Sequence, residues 1–141
     1  MILLDTNVIP EFMRPTPEPL VVTWLDTYLI NQVWISAISR AEIELGIELL
    51  PDGQRKQGLQ QVAGAMFSED FAGRCLAFDE SAAICYGKIV ADRNRIGRPI
   101  SVEDAQIAAI AVSNRLVLAT RNVRDFESID ELSLMNPWQS V

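Results

Sequence analysis

The chain predicts an α/β domain of three layers, α/β/α, around a short parallel sheet of four to five strands. Three observations carry this expectation. Short apolar runs alternate with longer stretches whose apolar residues recur at helical spacing. No repeat, low-complexity run or linker interrupts them. The length, 141 residues, suits one domain with a proper core, so residues 1–141 are read as a single domain.

Ile2–Leu4 reads as a short buried strand. Residues 18–30, EPLVVTWLDTYLI, read as a helix with Leu20, Trp24 and Leu25 on one side. Val33–Ile35 is a second strand, closed by Ser36. Ser39–Leu50 is helical and stops at Pro51. Residues 53–67 form another helix, weakened by Gly58 and Gly64. Cys75–Phe78 is a third strand. Residues 80–96 form a helix with Ala83, Tyr86, Ile89 and Val90 buried, ended by Gly97. Ser101–Asn114 is a helix with Ile107, Ile110 and Ala111 inward. Leu116–Ala119 is a fourth strand and Leu132–Leu134 a fifth. Strands alternating with helices give a parallel sheet covered on both faces, with ligands at the carboxyl ends of its strands.

Composition narrows the chemistry. The chain is 49% hydrophobic with a mean hydropathy of +0.14. No apolar run approaches the ~20 residues of a membrane helix, and the start lacks the pattern of a signal peptide. The expected location is therefore cytoplasmic, with no membrane partner. Cys75 and Cys85 stand ten apart, neither a metal nor a redox spacing, and read as two buried thiols. The absence of histidine excludes His-based acid–base chemistry, Ser-His-Asp triads and His-ligated zinc. An enzyme built from this chain works with carboxylates, hydroxyls, or a metal held through oxygen.

The net charge of −7 is unevenly spread. Residues 1–87 hold 5 basic and 12 acidic side chains, and residues 88–124 hold 7 basic and 3 acidic. An acidic protein is a poor general binder of nucleic acid. A local run of arginines can still grip a phosphate backbone, arginine being the better phosphate fork.

The opening MILLDTN delivers an acid and two small polar residues to the far end of a buried strand. Asp5 thus falls where a parallel sheet places its site. Glu42, in the first turn of the helix starting near Ser39, and Asp104, in the first turn of the Ser101 helix, arrive at comparable places. Thr120, Arg121, Asn122 and Asp125 follow the fourth strand. Capping competes at each position: Ser39 to Glu42 has the form of a capping box, and Ser101 to Asp104 a looser one. Capping predicts scattered acids. Convergence predicts a repelling carboxylate cluster, most cheaply relieved by a hard divalent cation, with magnesium the best match.

Four blocks, MILLDTNVI, SAISRAEIELGIELLPDG, SVEDAQIAAIA and LVLATRNVRDF, resemble the successive motifs of the PIN-domain ribonucleases. More closely, with the closing NPW, they are similar to VapC-type toxins of type II toxin–antitoxin pairs, including the FitB-like branch. The resemblance spans nearly the whole chain and implies a PIN-like fold and a magnesium-dependent ribonuclease, with Mn2+ able to substitute. It implies that Asp5 and Asp104 bind the metal and that Glu42 orients the attacking water or accepts its proton. The family's fourth acid is Asn122 here, and Asp125 could supply the missing carboxylate. That departure leaves one metal or two open. Thr6, Asn7 and Thr120 would sit beside the metal or its waters, unless they serve only as caps and turns. Arg93, Arg95, Arg98, Arg121 and Arg124 are candidates for holding the RNA backbone. The implied products are a 5′-phosphate and a 3′-hydroxyl. The implied partners are a second copy, giving a homodimer, and a cognate antitoxin that covers the acidic pocket; DNA is reached only through the antitoxin.

Two other classes compete. A catalytically dead PIN-like scaffold that only binds its antitoxin draws on Asn122; the intact Asp5, Glu42 and Asp104 oppose it. A phosphatase with an aspartyl nucleophile would need a second Asp at position 7 and a phosphate-neutralising lysine, and has Asn7 and an unhelpful Lys56 and Lys88. A dinucleotide-binding domain fails for want of a Gly-rich turn after the first strand.

Overall fold

Five strands form in the computed structural model, which describes residues 1–139. They are β1 (Ile2–Leu4), β2 (Val33–Ser36), β3 (Cys75–Leu76), β4 (Val117–Ala119) and β5 (Leu134–Met135). They pair side by side in the order β3-β2-β1-β4-β5, every pair parallel. The expected domain reaches residue 141, and residues 140–141 lie outside the described residues.

Strand period divides the core in two. Ile2 and Leu4 join Val33, Ile35 and Phe71 on one face, while Leu3 joins Leu118 and Phe126 on the other. The first face is covered by α1 (Pro19–Leu25), α2 (Ala37–Glu48) and α3 (Gln54–Ala65), through Trp24, Ile47 and Ala63. The second is covered by α4 (Glu80–Arg95) and α5 (Val102–Ser113), through Ala82, Ile89, Ile107 and Ile110. The three-layer α/β/α expectation holds, with five parallel strands.

Several elements differ from expectation, each for a local reason. The helix expected over residues 18–30 ends at Leu25, where the Thr27 hydroxyl donates to the Trp24 carbonyl; Ile30–Gln32 then forms one tight turn into β2. Its inward residue is Val21, fully buried, while Leu20 is 43% exposed. α2 starts at Ala37, two residues early, because Ser36 caps it by accepting the Ser39 N–H at 3.1 Å. The Ser39–Glu42 capping box therefore does not form, and Glu42 lies in the second turn. On α4 the buried alanine is Ala82, not Ala83. The fifth strand lies two residues later than expected, at Leu134–Met135. Cys75 is exposed on edge strand β3 and Cys85 is half-buried, so neither is the buried thiol expected. The three tryptophans pack against the two cores, Trp24 and Trp138 on the first and Trp34 on the second.

α4 stops at Gly97, whose φ of 72° only glycine adopts freely. Gly97 N–H donates to the Asn94 carbonyl at 3.1 Å and Arg98 N–H to the Arg93 carbonyl at 2.9 Å, a Schellman ending. The chain leaves it toward Ser101, which caps α5 by accepting the Asp104 N–H at 3.2 Å.

Candidate active site

β1 lies at the centre of the sheet, and the strand order reverses between it and β4. At such a switch point the loops leaving the strands diverge to opposite faces and open a crevice. Asp5 occupies it. Its N–H still donates to the Ala119 carbonyl at 2.9 Å, so the residue is held by the sheet edge itself. Its carbonyl accepts the Val8 N–H at 3.0 Å, which turns the chain without glycine or proline.

The Asp5 side chain is 5% exposed. Its Oδ1 accepts the Thr6 N–H at 2.8 Å and its Oδ2 the Thr120 hydroxyl at 2.7 Å. Burial raises its pKa above the ordinary carboxylate value; the two donors oppose that rise, and the charges of Glu42 and Asp125 add to it.

Glu42 reaches the same place from α2. The Thr6 hydroxyl donates to Glu42 Oε1 at 2.8 Å. That uses its only proton, so in the 2.7 Å contact between Thr6 and Ser39 the Ser39 hydroxyl is the donor. Ser36 and Ser39, both fully buried, thus carry a relay from the end of β2 to the Glu42 carboxylate.

Asp104 stands in the first turn of α5, half-buried, with its pKa pushed up to about 6. Burial is the largest cause and the negative charge of Asp5 the next; Asp125 and Glu42 push the same way, and only the Ser101 hydroxyl pulls back. After β4, the Asn122 N–H donates to Thr120 Oγ1 at 3.0 Å and the Asp125 N–H to the Asn122 carbonyl at 3.0 Å. Of these two, Asp125 is the group whose charge reaches Asp5 and Asp104.

Four acids from four separate stretches of chain therefore converge, and the charges of Glu42 and Asp125 add to the raised pKa values of Asp5 and Asp104. Among the described residues, no three form a ready ligand group. The donor set nonetheless matches a hard divalent cation: oxygen ligands only, two of them destabilised as anions by burial and mutual repulsion. Asp5 is fixed on two hydrogen bonds, while Glu42 and Asp125 are exposed.

The arginines divide. Arg98 and Arg124 line a cleft of about 510 Å³ together with Ser101, Asp104 and Asp125. The Arg98 guanidinium donates to the Arg124 carbonyl at 3.2 Å and pairs with Glu127 at 3.5 Å, but its side chain, unlike that of Arg93, remains 40% exposed. Arg121 stacks over the Trp138 ring at 4.9 Å, and its N–H donates to Asn7 Oδ1 at 3.3 Å, tying the loops after β1 and β4 together. Arg95 is paired with Asp92 at 2.9 Å and walls a different cavity, with Lys88 and Asp130. Arg93 corrects the expectation most. It is 4% exposed, and its Nε and Nη1 donate to the carbonyls of Arg98, Asp125 and Glu127, so it is built into the fold rather than presented to RNA as an open surface group. Thr6 and Thr120 likewise spend their hydroxyls on Glu42 and Asp5 rather than facing a ligand directly. Sequence reasoning misses Ser36 and Ser39 as parts of the site; their spacing of three at a strand end is the available signal.

A PIN domain model matches residues 2–132. Toxin FitB of Neisseria gonorrhoeae is 42% identical over 138 residues, covering 98% of this chain and 99% of that protein. VapC ribonuclease Y4jK of Sinorhizobium fredii is 36% identical over 139 residues, covering 99% of each. Among solved structures, FitAB bound to an IR36 DNA fragment superimposes with a TM-score of 0.91 at 40% identity, covering 100% of this chain and 98% of that one.

Proposed function

The chain belongs to the PIN-domain family, and we propose that it is the ribonuclease toxin of a type II toxin–antitoxin pair, hydrolysing RNA phosphodiester bonds with a divalent cation. The observation that carries this reading is the pairing of full-length similarity to FitB and VapC proteins with a carboxylate cluster at the sheet's switch point.

Asp5 and Asp104 would hold the ion, magnesium by preference and manganese as a substitute. The ion supplies charge neutralisation at the scissile phosphate and a more acidic attacking water. The protein does the rest. Thr6 and Thr120 orient Asp5 and favour its ionised form against the cost of its burial. Thr6, backed by Ser39, aims Glu42 to orient the water or take its proton. Asp125 takes the position that Asn122 leaves without charge. Arg98, Arg121 and Arg124 would hold the RNA backbone on either flank. Hydrolysis leaves a 5′-phosphate and a 3′-hydroxyl, and no 2′-hydroxyl attack is needed.

Leu29, Leu45, Leu49 and Ile84 are all more than half exposed, surface that suits an antitoxin and a second copy of the chain. DNA would be reached through the antitoxin, as the FitAB–DNA neighbour suggests for its own system. Among the described residues no helix is long and apolar enough to cross a membrane, and we place the protein in the cytoplasm. The catalytically dead scaffold keeps one observation in its favour: no three acids form a ready ligand group among the described residues. Incubating the purified chain with RNA in Mg2+, in EDTA, and with Asp5→Asn and Asp104→Asn decides. Cleavage that needs Mg2+ and both aspartates supports the nuclease; no cleavage, with no change for Asp5→Asn, favours the scaffold.

A further inference from the structure

Arg93 is a buried cation for which, among the described residues, no carboxylate lies within ion-pair distance. Arginine is rarely buried without a paired partner, so the position calls for an explanation. Its hydrogen bonds supply one. Nε donates to the Arg98 carbonyl at 2.7 Å, and Nη1 to the carbonyls of Asp125 and Glu127 at 3.1 and 2.8 Å. Arg93 and Arg98 are joined a second time through the backbone, Arg98 N–H to the Arg93 carbonyl at 2.9 Å.

The three acceptors lie on two loops. Arg98 belongs to the Schellman turn that leads into Ser101 and the first turn of α5, where Asp104 sits. Asp125 and Glu127 belong to the turn after β4. These loops bring opposite walls of the acidic cleft together, and Arg93 lines the cleft between them. No regular secondary structure spans them, so their separation is set by what bridges them: the buried Arg93, and on the exposed side the Arg98 guanidinium, which reaches the Arg124 carbonyl at 3.2 Å and Glu127 at 3.5 Å. A guanidinium suits this role, being planar, always charged, and able to serve several carbonyls in fixed directions.

We propose that Arg93 is a positioning residue that fixes the spacing of Asp104 and Asp125 by clamping the backbones of the loops that carry them. The inference rests on the metal-dependent nuclease reading for its consequence, and on geometry alone for the clamp.

The test compares wild type, Arg93→Met, Arg93→Lys and Asp104→Asn as full-length proteins. Met keeps the apolar stem and removes every donor; Lys restores one cationic donor group. Hydrogen–deuterium exchange reads the clamp without any activity. Arg93→Met should raise exchange in residues 98–104 and 122–128 and leave β1, β2 and α3 protected as in wild type. Free Mn2+ measured by electron paramagnetic resonance should report an affinity weaker by about tenfold, within the range that supporting-shell losses produce. Cleavage kcat should fall by a similar factor with KM for RNA changed less than about threefold, and Arg93→Lys should recover part of both losses. Exchange that rises evenly over the whole molecule overturns the clamp. Local loosening with Mn2+ affinity and kcat unchanged overturns its role in the site. A wild type that binds Mn2+ through Asp104 yet cleaves no RNA sinks the nuclease reading instead, and exchange and affinity still decide for or against Arg93.

Discussion

Thr120 shows how little slack the site contains. Its single hydroxyl donates to Asp5 Oδ2 and accepts the Asn122 N–H, so one oxygen serves the buried acid and shapes the turn that carries Asp125. Replacing it by valine keeps the shape and removes both bonds. Leaving a buried carboxylate oxygen and an N–H without partners costs about 1–3 kcal/mol. Urea denaturation of Thr120→Val should show a loss in that range with an unchanged slope. Asp5 would also lose the donor that most opposes its raised pKa, so half-maximal metal binding should need a higher pH than in wild type. An equal pH profile would mean the hydroxyl does not tune the acid. Asp5 and Asp104 are legible in the sequence because strand ends and helix starts are marked by pattern. Arg93 is not: seven basic residues between 88 and 124 look alike on paper, and only the convergence of three distant carbonyls distinguishes the buried one.

The helices follow the same division. α5 is legible because its cap, Ser101, and its inward residues Ile107 and Ile110 agree on one register. α1 misleads because its register is set by docking Val21 and Trp24 onto the core, which local pattern does not encode. Strands of two or three residues carry too few positions for a period, which is why β5 lies two residues from its expected start. Ser36 reads as the end of a strand and is also the start of a helix. Removing its hydroxyl takes away the cap of α2 and the support of Ser39. Ser36→Ala should destabilise the chain by about 1–2 kcal/mol and lower cleavage through a less ordered Glu42; a stability loss with full activity would show that the relay ends at Ser39. The far end of α5 offers the opposite change. Arg115 sits at a φ of 57°, where the Schellman ending of the helix needs a left-handed residue. Such a backbone costs a side-chain-bearing residue about 1–2 kcal/mol, part of which glycine's greater unfolded freedom takes back. Arg115→Gly should therefore stabilise by about 0.5–1 kcal/mol, read as a higher urea midpoint; no gain would mean that contacts of the Arg115 side chain outweigh the strain.

Taken whole, the chain carries a net charge of −7 and concentrates several of its acids in one hollow, an arrangement that, on the metal-dependent function proposed above, would trade folding stability for metal affinity. Asp104 sets the sign of the effect. Its folded pKa, about 6, lies above the ordinary value of 3.8, so the folded chain holds this proton more tightly than the unfolded one. The stability it confers is fully present below about pH 3.8 and is lost as pH rises through about 6. Above that window the ionised carboxylate strains the protein, and the divalent cation proposed above would relieve it by binding only the folded state. Asp104→Asn removes the strain and the ligand together. At about pH 7.5 the variant should melt some 2–4 °C above apo wild type, a difference that shrinks toward about pH 4.5 as the wild-type proton returns. Adding Mg2+ should raise the wild-type melting temperature more at the higher pH and move the variant far less. A variant that melts below wild type at the higher pH, or a wild-type Mg2+ shift independent of pH, would show that these carboxylates do not share one electrostatic site, and the metal-dependent chemistry assigned to them would lose its physical basis.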